Sequence, residues 1–204
     1  MREDPRLRRW LEAMLATPGL TAVSDDREAW RIHVEDALVA LPLIEEGPVV
    51  DVGSGGGSPG LPLSAARADL RFVLLESARR KAAFLESVAA DFANVKVICA
   101  RAEDFGRGEG RDAFGTALAR ALAPPPVSVE WCLPLVRPGG RLVLFATEMT
   151  ERAAAAAKEI GAELSKIVEV PGSGGKRLLV FRKIAPTPPR FPRRPGVARK
   201  RPLA

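Results

Sequence analysis

The sequence predicts an α/β fold: a mostly parallel sheet covered by helices, closed by a C-terminal antiparallel hairpin and preceded by a short N-terminal helical extension. Three observations carry this prediction. Short, nearly continuous apolar runs alternate with helical stretches, as expected for βαβ units whose strands are buried on both sides. The last two apolar runs are joined by the glycine-rich turn GSGGK, which reads as a hairpin. Ahead of the first run, apolar residues recur at helical spacing instead.

The elements follow in order. Residues 5–16 place Leu7, Trp10, Leu11, Met14 and Leu15 at helical spacing. Ser24-Asp25-Asp26 is a capping cluster for a second helix from about Arg27 to Leu43. Trp30, Val34, Leu38 and Leu41 share one side of it, and Pro42 and Gly47-Pro48 close it. Strands are expected over 48–52, 71–76, 95–100, 114–119 and 141–147, with helices near 60–68, 78–93, 124–136 and 150–161. The hairpin pairs 163–171 with 177–184. This divides the chain into a helical segment (1–47), a ligand-binding α/β domain (48–184) and a Pro/Arg-rich tail (185–204).

Composition narrows the function. The 204 residues are 47% hydrophobic and 27% charged, an ordinary soluble balance. Cys99 and Cys132 sit in apolar runs and read as small buried hydrophobes. With one histidine and no Cys/His cluster, no metal is expected. No apolar run is long enough to span a membrane, and the start, MREDPRLRRWLEAM, has no apolar core of a signal peptide, so a cytoplasmic protein is expected. The 31 Lys+Arg exceed the 25 Asp+Glu by six, and the tail holds all six: Arg190, Arg193, Arg194, Arg199, Lys200 and Arg201, with no acid among them. Such a segment is either a solvated tail or a contact for a polyanion such as RNA.

The strongest local signal is VVDVGSGGGSPGLPL at 49–63. A buried strand runs straight into Gly53, Gly55 and Gly57, and a helix follows, presenting free N–H groups to a ligand. That unit suits an adenosine-containing cofactor. Gly55, Gly57 and Gly60 formally fit a dinucleotide fingerprint; Asp51, Gly53, Gly55 and Gly57 fit the pattern typical of S-adenosylmethionine (SAM) enzymes. Asp51, placed two residues before Gly53, favours SAM because it can meet the cofactor's ammonium end directly or through water. The terminal hairpin favours it too, since a parallel sheet closed in this way has the layout of Rossmann-like class I SAM-dependent methyltransferases. A Walker A loop is excluded because no Gly-Lys-Ser/Thr follows.

Other candidates lie at strand ends, where ligands bind in such sheets. Glu76 is placed to accept from two ribose hydroxyls, or else to cap the next helix with Ser77. Ala102 and Glu103 are placed for an adenine pocket, or form a solvated acidic loop. Arg120 points to the same crevice, either to neutralise an anion or stack on a base, or to form a structural ion pair. His33 is either structural or part of a substrate pocket. Trp10, Trp30 and Trp131 read as core, which leaves Phe191 as the best base-stacking group.

These residues resemble the glucose-inhibited division protein B family, the bacterial 16S rRNA guanine-N7 methyltransferases. The resemblance rests on LTAV (20–23), His33 with Asp36-Ala37-Leu38, DVGSGGGSPGLPL (51–63), LLES (74–77), RAED (101–104), ARALAP (119–124), WCLPLVRPGG (131–140) and the tail RFPRRPGVARKRPL (190–203). It implies a SAM-binding methyltransferase domain over 48–184 with SAM contacts at Gly53, Ser58, Glu76, Ala102, Glu103 and Arg120. It also implies a monomer acting on 16S rRNA or the 30S particle at guanine 527 in standard rRNA numbering. Gly19, Ser58 and Gly115 depart from the family pattern, and Ala146-Thr147 stands where the family often has Lys-Gly. N7 carries no proton in neutral guanine, so the reaction needs no general base and the sequence offers no nucleophile–base pair. The rival readings are a SAM enzyme acting on a small molecule, a non-catalytic RNA-binding assembly module on the same fold and, more distantly, an NAD-dependent dehydrogenase.

Overall fold

A computed structural model describes residues 4–147, 151–170 and 175–203, so most of the glycine turn at 172–176 lies outside the described residues. Helix α1 (Pro5–Ala16) starts where Asp4 accepts from the Arg6 amide at 3.0 Å and buries Leu7, Trp10, Leu11 and Met14. Helix α2 (Asp26–Trp30) is capped by Asp25. It does not run regularly to Leu43: a π-helical turn (Arg31–Glu35) inserts one residue before α3 (Asp36–Leu38), and a 3₁₀ turn follows at Leu41–Leu43. The wider turn changes which carbonyls remain available to other partners.

The parallel strands are β1 (Val49–Val52), β2 (Phe72–Glu76), β3 (Val95–Cys99), β4 (Phe114–Arg120) and β5 (Val136–Ala146); β6 (Ala162–Glu169) and β7 (Arg177–Lys183) complete the sheet. Their order is β3-β2-β1-β4-β5-β7-β6, with β7 antiparallel to both neighbours. The chain returns between them through α4 (Gly60–Ala66), α5 (Arg79–Ala89), α6 (Ala102–Phe105), α7 (Pro125–Cys132) and α8 (Glu151–Glu159). Strand β5 begins five residues earlier than expected, because Val136 already pairs with Phe114 and a register shift across Pro138–Gly140 is absorbed before Arg141 pairs with Thr116. The preceding helix therefore ends at Cys132.

The strands divide their side chains between two cores. Val50, Val52, Ala117, Ala119, Leu142 and Leu144 face α7 and α8. Val49, Leu118 and Val143 face the opposite way with Leu63 and Phe72. Trp10, Trp30 and Trp131 are buried, as expected. Cys132 is buried, but Cys99 is exposed because β3 is an edge strand.

The tail corrects the sequence reading most. Phe191, expected as a base-stacking group, is only 2% exposed and belongs to the α7–α8 core. The Arg111 guanidinium donates to the Phe191 and Thr187 carbonyls, both at 2.6 Å. The buried Lys183 ammonium donates to Leu133 O at 2.9 Å and lies 3.3 Å from Asp112, which also accepts from Thr187. A short helix α9 (Val197–Lys200) ends the described chain and buries Ala198. Two arginines that have no nearby acid in the sequence find one in the fold: Arg190 pairs with Glu159 and Arg193 with Glu130. Replacing Phe191 by Ala is expected to cost about 3–5 kcal/mol of unfolding free energy, read by urea denaturation. A loss under about 1 kcal/mol would show that the tail is not part of the core.

Candidate active site

The crevice opens at the carboxyl ends of the parallel strands, on either side of β1 and β4. The glycine loop leaves β1 with the Gly53 and Ser54 amides still donating to Leu75 O on β2. Gly53 has φ +69°, and a side chain there would collide with Leu122. Gly60, at the start of α4, lies so close to Asp51 and Leu74 that no larger residue fits. Asp51 is 1% exposed. Its Oδ2 accepts from the Gly60 amide at 3.0 Å, while its buried Oδ1 has no partner among the described residues. Burial lifts its pKa to about 7, against the Gly60 bond and the Arg120 charge. Asp51 thus lies beneath the loop rather than in the crevice wall. The outer edge of the loop is held by α1, whose Trp10 indole donates to Gly56 O at 2.7 Å.

Glu76, at the end of β2, closes the loop from the other side. Its two oxygens accept from the Gly55 amide at 2.9 Å and the Ala78 amide at 2.8 Å. The helix-capping alternative is therefore realised through Ala78, and lone pairs remain for two further donors. Beside it lies a slot of about 60 Å³ lined by Gly53, Leu75, Ser77, Ala102, Glu103, Leu122 and Trp131. Glu103 is buried, and its Oε1 accepts from the Gly196 amide at 3.1 Å and faces Arg101 at 3.4 Å.

A cleft of about 560 Å³ lies on the other side of β4. His33, Asp36, Arg120, Ala146, Thr147 and Lys176 line it. Arg120 donates to Ile32 O at 2.8 Å and to His33 Nδ1 at 3.2 Å. Since a guanidinium only donates, His33 Nδ1 carries no proton and Nε2–H faces the Thr21 hydroxyl at 2.9 Å. Burial, then the Arg120 charge, lowers the His33 pKa to about 4, with Asp36 opposing. The Ser58 hydroxyl donates to His33 O at 2.6 Å, so side chains from β4 and the glycine loop take two carbonyls of the π turn. Ala121, at φ +51°, stands between the two spaces: Arg120 and Ala121 line the cleft, Leu122 the slot. Asp36 pairs with Lys176 at 2.6 Å, which brings a cation to the wall beside Ala146-Thr147.

Of the residues singled out by sequence, Gly53, Ala102 and Glu103 line the slot, and Glu76 stands between slot-lining Leu75 and Ser77; His33 and Arg120 line the cleft. Asp51, Gly55, Gly57 and Ser58 build the support beneath. Arg194, Arg199, Lys200 and Arg201 are exposed, and Arg107 joins Arg190, Arg193 and Arg194 around a shallow groove of about 620 Å³. Sequence reasoning missed Thr21, Leu122, Trp131, Lys176 and Glu130. Thr21 and Trp131 fall in the LTAV and WCLPLV motifs, but nothing local indicates their contacts.

The strand order and hairpin define a class I SAM-dependent methyltransferase fold. Solved structures similar to this chain agree on the fold. The [4+2]-cyclase SpnF has a TM-score of 0.60 at 15% identity, covering 89% of this chain and 92% of that one. Aeropyrum pernix fibrillarin with bound S-adenosyl-L-methionine has a TM-score of 0.54 at 16% identity, covering 72% and 73%. A cyclase among them shows that this fold alone does not fix the chemistry. The family model for rRNA small subunit methyltransferase G (GidB) matches residues 6–180. The ribosomal RNA small subunit methyltransferase G of Moorella thermoacetica is 41% identical over 197 residues, covering 90% of this chain and 82% of that protein. That of Pelotomaculum thermopropionicum is 40% identical with the same coverage. The chain belongs to this family of SAM-dependent methyltransferases.

His33 is the single histidine, so its ring signals are unambiguous in NMR. They should report a neutral Nε2–H ring down to about pH 4, and Arg120→Gln should move the midpoint up toward the usual 6.5. Between pH 4 and 6.5 the unfolded chain binds a proton that the folded chain refuses, so this group makes stability rise with pH there. Asp51 works the other way between 3.8 and about 7, where the folded chain holds the extra proton. A wild-type His33 midpoint near 6.5 would contradict the arrangement.

Proposed function

We propose that this chain transfers the methyl group of SAM to N7 of one guanine in 16S rRNA, guanine 527 in standard numbering as the resemblance implies, working as a cytoplasmic monomer on the rRNA or the 30S particle. The observation that carries this reading is the arrangement of two adjoining spaces, a narrow slot beside the glycine loop and a larger cleft walled by Arg120 and His33, in a member of this family.

The residues fit the cofactor. Gly53 leaves backbone bare where a side chain would intrude, Glu76 retains acceptor capacity, and the buried Asp51 has an unsatisfied oxygen at the loop. Glu76 would hold the ribose hydroxyls, with Ala102, Glu103 and Trp131 beside the adenine. Asp51, Gly55, Gly57 and Ser58 would hold the loop's shape. When bound, SAM supplies an electrophilic methyl group.

The chain's own part is positioning. Guanine N7 offers a lone pair without a proton, so no side chain has to remove one. His33 agrees with this, since both ring nitrogens are already engaged. Arg120 is held back by Ile32 O and His33, where it shapes the cleft wall. The methylated purine is cationic, and Asp36 in the cleft wall supplies a carboxylate that it shares with Lys176. The exposed Arg190, Arg194, Arg199, Lys200 and Arg201 would meet phosphates, with a contribution that falls as salt rises. Arg190, paired with Glu159, and Arg193, neutralised by Glu130, would contribute less.

The test is incubation with methyl-labelled SAM and 16S rRNA or 30S particles lacking the modification, with the product mapped by m7G-specific strand scission. Label at one guanine is expected, with Glu76→Ala and Arg120→Ala each reducing kcat/KM by about a hundredfold, or roughly 2.7 kcal/mol. SAM binding without transfer to either RNA substrate would overturn the reading in favour of a small-molecule substrate or a non-catalytic module.

A further inference from the structure

The tail has two faces, and the inner one packs against residues that line the slot. Arg193 grips Glu130 with two hydrogen bonds, Nε–H donating to Oε1 at 2.6 Å, and donates to Arg201 O at 2.8 Å. Glu130 sits on α7 and is 1% exposed, so the pair fixes the tail against that helix rather than decorating a surface. The next residue of α7 is Trp131, a wall of the slot. Ala198 completes a small apolar cluster with Val127 and Trp131, against which Ala102 and Leu122 pack. Three of these residues, Trp131, Ala102 and Leu122, line the slot. Arg199 lies over the Trp131 ring at 5.9 Å. The Gly196 amide, presented by a left-handed backbone at φ +82°, donates to Glu103 Oε1, so a tail backbone group also fixes a carboxylate of the slot.

We infer that the tail buttresses the wall of the cofactor slot: Arg193 acting through Glu130, and the Gly196 amide acting through Glu103, are positioning groups that set affinity for SAM, in addition to the contact of the tail's outer face with RNA. This rests on the cofactor reading above. A tail that served only as an RNA strap would need no buried acid, no amide on Glu103 and no alanine against the slot wall. The arrangement also means that tail removal is a poor probe of RNA binding, because it strips the slot as well as the arginines.

The test uses the full chain. Isothermal titration with SAM is compared for wild type, Glu130→Gln and Arg193→Lys, alongside filter binding of 16S rRNA. Both variants are expected to raise the SAM Kd about tenfold or more. Glu130→Gln should leave RNA affinity equal or improved, because Arg193 loses its buried anion. In the wild-type protein, SAM should also slow hydrogen exchange at the amides of Gly196, Val197 and Ala198, a measurement that does not depend on any variant folding. A SAM Kd within twofold of wild type in both folded variants, or unchanged exchange at these amides while the glycine loop is protected, overturns the inference and leaves the cofactor reading intact. A wild-type chain that binds no SAM overturns that reading and this inference with it.

Discussion

Asp51, one residue before the end of β1, lies inside the protein with one carboxylate oxygen on the Gly60 amide, and the crevice is built around this group. A carboxylate stripped of water and left with one strong partner is costly unless its surroundings are fixed. Here the backbone carbonyl of Asp51 also accepts from the Ser54 hydroxyl at 2.8 Å. Loop and acid therefore constrain each other: Gly60 must lack a side chain for Asp51 to reach it, and the loop must turn at Gly53 for Ser54 to fold back. With the loop set, its Gly55 amide meets Glu76 and its Gly56 carbonyl meets Trp10. The N-terminal helix is thus part of the site's support.

The second constraint is the separation of slot from cleft. The end of β4 delivers Arg120 to the cleft, and the left-handed Ala121 that follows turns the chain so that Leu122 lines the slot. Arg120 finds its partners on the π turn, where Ile32 O and His33 Nδ1 are both within reach. A regular helix would present these groups differently, which gives the local irregularity a role in assembling the cleft.

Much of the fold was legible because buried parallel strands leave a simple trace. PVVDV, RFVLLE and RLVLFAT are nearly unbroken apolar runs; the first two contain β1 and β2, and the third holds the second half of β5. The glycine loop was legible because its backbone demands leave few residue choices. What failed was long-range. The start of β5 lies in Val136–Gly140, where a proline and two glycines hide the strand. The edge position that exposes Cys99 is a property of the sheet order and not of VKVICA. Phe191 looked exposed because its neighbours are proline and arginine, yet Arg111, 80 residues away, holds its carbonyl. Glu130 is buried on α7 with Arg193, which arrives from 63 residues on, a pairing with no local signal. In the candidate site, strand-end logic singled out Glu103, which lines the slot, and Arg120, which lines the cleft. The pairing of His33 with Arg120 joins residues 87 apart and had no local signal.

The most direct test of the whole account is a crystal structure of the protein with S-adenosylhomocysteine. The ribose hydroxyls are expected on Glu76, the adenine against Ala102 and Trp131 with the tail still docked, and the sulfur end opening toward the Arg120–His33 cleft. A nucleoside bound away from Glu76, or a tail displaced from Glu103 when the slot fills, would contradict it.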